Sequence, residues 1–297
     1  MIERFLDYLR YERNRSPLTV ERYERSLRDF QTYFQSRNGL LTWASVDADL
    51  IRGWMETLMD KGNKATSVNA DLAALHSFFR FAVSRKLLER DPAYAIVGPK
   101  KQKPLPQFLK EKDMDKLLDQ QEWSDSYKDV RARTIILLLY EAGLRRSELV
   151  GLDDKDVDFD SRQLKVTGKR NKQRYIPFGQ ELCEALKHYV EVRNEQVKRN
   201  STALFLNMRG NRMTGDQVYS EVRTQLSKVT FMKKRSPHVL RHTFATAMLN
   251  HDAGLENVRQ LLGHESLQTT EIYTHTTFEQ LKRVYKDAHP RGSEEPL

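Results

Sequence analysis

The sequence predicts a mainly α-helical protein with a small β-sheet, divided into a helical N-terminal domain and an α+β second domain. Three observations predict it. The 297 residues amount to two domains at roughly 150 residues each. Apolar residues recur at helical spacing through residues 1–97, whereas two short segments within residues 163–177 alternate as a strand pair does. A Gly-Pro-Lys segment, residues 98–107 (GPKKQKPLPQ), separates the two patterns.

Met1–Arg13 offers a first helix through Phe5 and Leu9. Ser16-Pro17 starts a second, because proline fixes a helical φ at the first position and has no N–H to leave unsatisfied. Behind it Tyr23, Leu27, Phe30 and Phe34 fall at i, i+4, i+7 and i+11. Leu50, Trp54 and Leu58 make a shorter stripe, and Val68, Leu72, Leu75, Phe79 and Ala82 a longer one. Four such stripes bury one another, so residues 1–97 are read as a four-helix domain whose aromatic residues are core.

Residues 98–107 hold three prolines and three lysines (Lys100, Lys101, Lys103) and no acid, which is linker composition. Extended at about 3.1 Å per residue, the segment would reach roughly 30 Å, enough to pass around a DNA duplex. Residues 108–297 are the second domain. Helices are expected at Glu111–Gln120 and Tyr127–Glu141, the latter too apolar at Ile135–Tyr140 to lie on a surface. Gln163–Thr167 and Arg174–Pro177 alternate and are joined by Gly168–Lys172, a hairpin signal with a basic tip. Helices follow at Leu182–Lys198 and Gln217–Val229, with a short strand at Ala203–Leu206 between them. Ser236-Pro237 caps another helix, and Leu255, Val258, Leu261 and Leu262 form one that Gly263 stops. Phe278, Leu281, Val284 and Tyr285 mark a last helix.

Several function classes drop out. The longest apolar run is six residues, Ile135–Tyr140, far short of the ~20 a membrane span needs. Met1 leads straight into Glu3, Arg4 and Asp7, with no signal-peptide core, so a cytoplasmic protein is expected. A single cysteine, Cys183, excludes an intrachain disulfide and a multi-cysteine zinc site. Fifty Lys and Arg against 41 Asp and Glu leave a net charge of +9, mostly spread evenly. The exception is Arg162–Arg174, where Arg162, Lys165, Lys169, Arg170, Lys172 and Arg174 stand without an acid. Such a stripe fits a phosphate backbone.

The chemistry-bearing residues gather at helix ends. His238, Arg241, His242 and Ala245 share one face, and His238 and Arg241 sit near a helix N-terminus, where free N–H groups and the dipole favour an anion. A metalloprotease zinc motif would need glutamate directly after His238, and Val239 stands there. His264 follows the Gly263 stop, and Tyr273 lies nine residues further on. Upstream, Gly143 ends the apolar helix, and Arg145 and Glu148 lie one turn apart. Singly these have ordinary explanations, such as a capped helix, a packing tyrosine or a surface ion pair worth little.

Their order is specific. Arg145, Lys169 on a hairpin, His238-x-x-Arg241, Leu262-Gly263-His264 and Tyr273 together resemble the catalytic domain of tyrosine site-specific recombinases (the phage integrase family). The segment Ser236–His275 is similar to that family almost residue for residue, and AGLRRSEL and TGKRNKQRYIP extend the likeness across most of residues 108–290. The helical first domain resembles the family's core-binding domain. LLERDPA at 87–93 and the ending Ala288-His289-Pro290-Arg291 resemble the Xer subgroup.

The resemblance implies that Arg145 and Arg241 clamp the scissile phosphate, their planar forks suiting its oxygens better than lysine would. It implies that Tyr273 is the nucleophile and forms a 3′-phosphotyrosyl link. Lys169 matches the general acid for the leaving 5′-oxygen, and His238 the residue that assists proton removal from the tyrosine. His264 matches the histidine that hydrogen-bonds the phosphate, and Glu148 the supporting acid. No metal or other cofactor is implied, because the covalent ester stores the bond energy for religation. Double-stranded DNA is the implied partner, with Lys100, Lys101, Lys103, Arg170, Lys172 and Arg174 as contact candidates. A homo- or hetero-tetramer on DNA is implied too, the hetero form with a second related recombinase, and a DNA translocase is a candidate activator. The last helix is expected to dock on a neighbouring copy.

The sequence departs from the family at Arg170, usually glycine, and at Arg146, usually apolar. Ala70, Asp71 and His76 stand where Xer-type proteins place basic residues. The first domain begins at once, which leaves no room for the arm-binding domain of many phage integrases. The implied activity is a Xer-like recombinase resolving chromosome or plasmid dimers. The alternatives are a mobile-element integrase, a non-catalytic DNA-binding protein and a type IB topoisomerase.

Overall fold

The first apolar stripe folds as α1 (Ile2–Asp7), which runs on in wider π-helical turns through Glu12. This is a computed structural model, and it describes residues 1–37, 39, 42–101, 107–168, 172–263 and 278–292, with the backbone alone at 278–280. The chain divides into two units, Met1–Pro104 and Leu105–Leu297, with the division inside the Pro-Lys segment.

In the first unit α2 (Pro17–Arg37), α3 (Ala48–Asp60) and α4 (Ala65–Ser84) join α1 around an aromatic core. Trp43, on a single 3₁₀ turn between α2 and α3, is ringed by Phe30, Phe34, Phe78 and Phe79 at centroid distances of 4.4 to 5.9 Å. Offset and edge-on aromatic pairs of this kind add about 0.5–1.5 kcal/mol each beyond the area they bury. Asp47 caps α3 by accepting the Leu50 N–H at 2.8 Å. Asp71 has a structural task on α4: it accepts from the Ser26 hydroxyl at 2.7 Å and faces Arg22 at 3.7 Å, tying α4 to α2. An acid here binds helix to helix.

The second unit is built on α6 (Tyr127–Ala142), whose residues Ile135–Tyr140 are all buried, preceded by α5 (Glu111–Asp115) and its π-helical extension to Gln120. Around α6 pack α8 (Gln180–Gln196), α9 (Gly215–Val229) and α10 (Pro237–Asn250). The sheet is antiparallel, in the order β1 (Val157–Asp158), β2 (Gln163–Thr167), β3 (Gln173–Pro177), with Leu164 opposite Ile176 and Val166 opposite Arg174. The two-residue β1 carries no sequence signal. Ala203–Leu206 is not a strand but makes single bridges, Ala203 to Asp153 and Leu206 to Arg212. All four residues are buried, so the apolar run marks a buried crossing, which reads like a strand in sequence.

The last helix, α12 (Phe278–Ala288), packs within its own unit against α10, β3 and α11 (Leu255–Leu262). Tyr285 is fully buried and donates its hydroxyl to Glu141 Oε2 at 2.9 Å. Its ring stacks on His289, which in turn stacks on Phe244. Within the single chain this polar anchor, invisible in the apolar spacing, ties the helix to its own unit. Burial pushes the Glu141 carboxyl up to about 8, so at neutral pH it is largely protonated and the anchor buries little charge.

Candidate active site

The site starts where α6 stops. Gly143 has φ +57°, and a Cβ there would stand 2.5 Å from the Phe244 ring, so both conformation and space require glycine. The chain re-enters a helix at once as α7 (Arg146–Gly151), with Arg145 at its cap. Glu148 in the first turn reaches back, accepting the Arg145 backbone N–H at 2.8 Å and its Nη1 at 2.7 Å.

Three guanidinium groups meet at Glu148. Arg174 on β3 adds a bidentate pair, Nη1 to Oε1 at 2.9 Å and Nη2 to Oε2 at 3.0 Å, and Arg241 on α10 stands 3.9 Å away. The same three arginines donate to the C-terminal carbonyls of α11: Arg174 Nε to Leu261 at 3.0 Å, Arg241 Nη2 to Leu262 at 2.8 Å, Arg145 Nη2 to Gly263 at 3.0 Å. These are the orphan acceptors at the negative end of the helix dipole, a natural seat for cations. Arg241 Nη1 also bonds the Gly143 carbonyl at 2.6 Å, which closes the ring from α6 to α11. Arg145 keeps 40% of its side chain exposed, so its fork still has a face for an external anion.

Charge balance follows from this packing. Burial alone would raise the Glu148 carboxyl, but hydrogen bonds and charge from Arg174 and Arg145 outweigh it and hold it below the usual carboxylate range. Burial and the neighbouring Arg145 pull Arg241 down to about 10, so it stays a cation at neutral pH. His238, exposed on the first turn of α10, is lowered by partial burial and by the charges of Arg241 and Lys234, and is therefore neutral and able to accept a proton. Its ring lies 4.4 Å from that of His242, edge to face.

The structure thus brings Arg145, Glu148, His238 and Arg241 to one place. Lys169, Arg170, His264, Tyr273 and Lys103 lie outside the described residues. Two of them follow directly on described residues. A Cβ on Gly168 would stand 3.6 Å from Glu148 Oε1, so the residue before Lys169 is beside the carboxylate. Gly263, before His264, lies against the Arg174 guanidinium at φ +62°. Lys100, Lys101 and Lys172 are exposed. Arg174 is not an open surface cation: its guanidinium is committed to Glu148 and Leu261, which makes it a brace of the site. The sequence held the signal, because Arg174 shares a strand face with buried Ile176 and so points inward. Arg146 bonds the Gly215 carbonyl at 3.3 Å, tethering the start of α9. Among the described residues no cluster of His, Cys, Asp and Glu is arranged for a metal, and no helix is long and apolar enough to cross a membrane.

Removing the carboxylate charge should loosen this hub. Glu148→Gln is expected to cost about 3 kcal/mol at neutral pH, as removal of one partner of a buried ion pair does. The folded carboxyl lies below its unfolded value, so its stabilisation is complete above the ordinary carboxylate range and is lost as pH falls through the folded value. Thermal unfolding of both proteins against pH checks this; a gap that fails to narrow in acid would show that the glutamate acts by shape alone.

Residues 107–280 match the model of the phage integrase family, and residues 2–86 that of the phage integrase N-terminal SAM-like domain. The chain is 38% identical to the tyrosine recombinase XerC of Pelotomaculum thermopropionicum, over 98% of each chain. It is 39% identical to XerC of Escherichia coli O1:K1, over 98% of this chain and 96% of that one. In fold it is similar to the XerH site-specific recombinase bound to a palindromic difH substrate, with a TM-score of 0.71, 23% identity, and coverage of 95% and 83% of the two chains.

Proposed function

The chain belongs to the phage integrase family as a Xer-like site-specific tyrosine recombinase that cleaves and rejoins DNA, and we propose that it does so through Tyr273, with Arg145 and Arg241 as the phosphate clamp. The Tyr273 hydroxyl attacks the scissile phosphorus. A tyrosyl O–P bond forms and the bond to the 5′-oxygen breaks. His238, neutral at pH 7, takes the tyrosine proton, and Lys169 protonates the departing oxygen. Arg145 and Arg241 meet the charge that builds on the nonbridging oxygens, where preorganised donors contribute most. His264 adds a hydrogen bond there. Rejoining is the reverse, with a 5′-hydroxyl from the partner duplex as the attacking group.

The observation that carries this reading is the suspension of both arginines from fixed carbonyls at Gly143, Leu262 and Gly263. They need no reorganisation when the phosphate arrives. Glu148 and Arg174 act through them, as positioning residues. Relatives named XerC support the further proposal that the chain resolves chromosome or plasmid dimers in the nucleoid. It would act within a homo- or hetero-tetramer on DNA, with a DNA translocase as a candidate activator.

Selection from a random duplex pool should yield a site, and a nicked version of that site should trap an SDS-stable protein–DNA adduct in EDTA. Binding should weaken steeply with salt, since each neutralised phosphate contributes a slope of about −0.9 in log K against log salt. Dependence of cleavage on a divalent metal would overturn the mechanism. Relaxation of supercoiled plasmid lacking the site would indicate a topoisomerase instead.

A further inference from the structure

Of the seven residues between α9 and α10, Thr230–Arg235 contain Phe231, Met232 and three cations, with no acid. Both ends are pinned. The Thr230 N–H bonds the Leu226 carbonyl at 3.2 Å, and the Val239 N–H bonds that of Ser236 at 2.9 Å. Between them the chain alternates: Met232 packs against the core of the second unit, while the Phe231 ring is fully exposed. Lys233 and Lys234 are exposed too, and among the described residues none of the three cations is paired with a carboxylate. The Arg235 Nε is enclosed without a hydrogen-bond partner. The segment runs directly into the turn that carries His238, close enough for the charge of Lys234 to be felt there.

A lone exposed aromatic residue needs no explanation, but one held outward and flanked by unpaired cations suits a particular surface. An apolar protein face would bury those cations without partners. A DNA duplex offers phosphates to the cations, and between them the apolar faces of the sugars and the groove edges of the bases to the ring.

We propose that Phe231–Arg235 is a second DNA contact beside the scissile phosphate, with Lys233 and Lys234 on the backbone and the Phe231 ring against a deoxyribose or the groove edge of a base. The inference rests on the recombinase reading, and it adds residues that the family motifs do not include. The ring supplies an apolar term that is independent of salt, and the lysines an electrostatic term that depends on it.

Salt titrations of binding to a single half-site separate the two. Phe231→Ala should lower affinity by about 10- to 150-fold, the worth of burying one phenylalanine side chain, with the slope unchanged. Lys233→Ala/Lys234→Ala should make the slope shallower by about 1.8, two phosphate contacts' worth. Both changes lie on the surface, so thermal unfolding should match the parent. Variants that keep parental affinity and slope, while the parent still forms the covalent adduct, would overturn the contact and leave the enzyme reading standing. A loss confined to cooperative filling of the second half-site would also overturn it, assigning the segment to another protein. Absence of the adduct in the parent strikes at the recombinase reading, and the two slopes would still decide the contact.

Discussion

Tyr273→Phe should bind the selected site with parental affinity and form no covalent adduct. The substitution removes one oxygen and keeps the ring, so packing and the two arginines are undisturbed while the nucleophile is gone. Removal of a covalent nucleophile costs on the order of 10⁶ in rate in hydrolases, where it has been dissected. Tyr285, the other tyrosine near the C-terminus, is fully buried with its hydroxyl on Glu141, and burial pushes its pKa well above the ordinary tyrosine value. Tyr140 and Tyr189 are buried as well. Denaturing gels with the nicked substrate decide the matter: an adduct that persists in Tyr273→Phe would move the nucleophile elsewhere.

Lys169→Ala should slow cleavage of ordinary DNA by about 10²- to 10⁴-fold, the usual worth of a positioned general acid. It should cleave a 5′-bridging phosphorothiolate at nearly the parental rate, because sulfur leaves without needing a proton. The hairpin favours such a role. Its base is closed by the Gly168 N–H to the Lys172 carbonyl at 2.7 Å, above the paired Thr167 and Gln173. Gly168, the residue before Lys169, lies against Glu148. Single-turnover rates on the two substrates give the test. Equal slowing on both would make Lys169 a positioning residue and leave the leaving oxygen to another donor.

The first domain was legible because helix faces repeat locally: Leu27, Phe30, Phe34, Val68, Leu72 and Phe79 are all buried where their spacing places them. Trp43 was not, since it sits on a single turn outside any stripe. In the second unit the hairpin was read from alternation, but β1 is two residues long and offers no period to read. Ala203–Leu206 misled for a related reason, because four apolar residues look the same in a strand and in a buried crossing. Of the candidate site, Arg145, Glu148, His238 and Arg241 were read from motifs, whereas the part Arg174 plays in bracing Glu148 was not. Its charge was read as surface, although its strand register pointed inward.

The sequence by itself determined which side chains this protein has for chemistry and the local turns that present them. The Gly143 and Gly263 stops, the Ser236-Pro237 start and the basic hairpin each depend on residues only a few positions apart. Tertiary structure alone decided what holds them in register. Glu148 meets Arg174 across 26 residues of sequence, Arg145 reaches Gly263 across 118, and Tyr285 reaches Glu141 across 144. Spacing carries no information over such distances. These bonds arise because folding carries the C-terminal carbonyls of α11 and one buried carboxylate into a core of low polarity, where neither tolerates being left unpaired. The arginines that satisfy them are thereby fixed where a phosphate would bind.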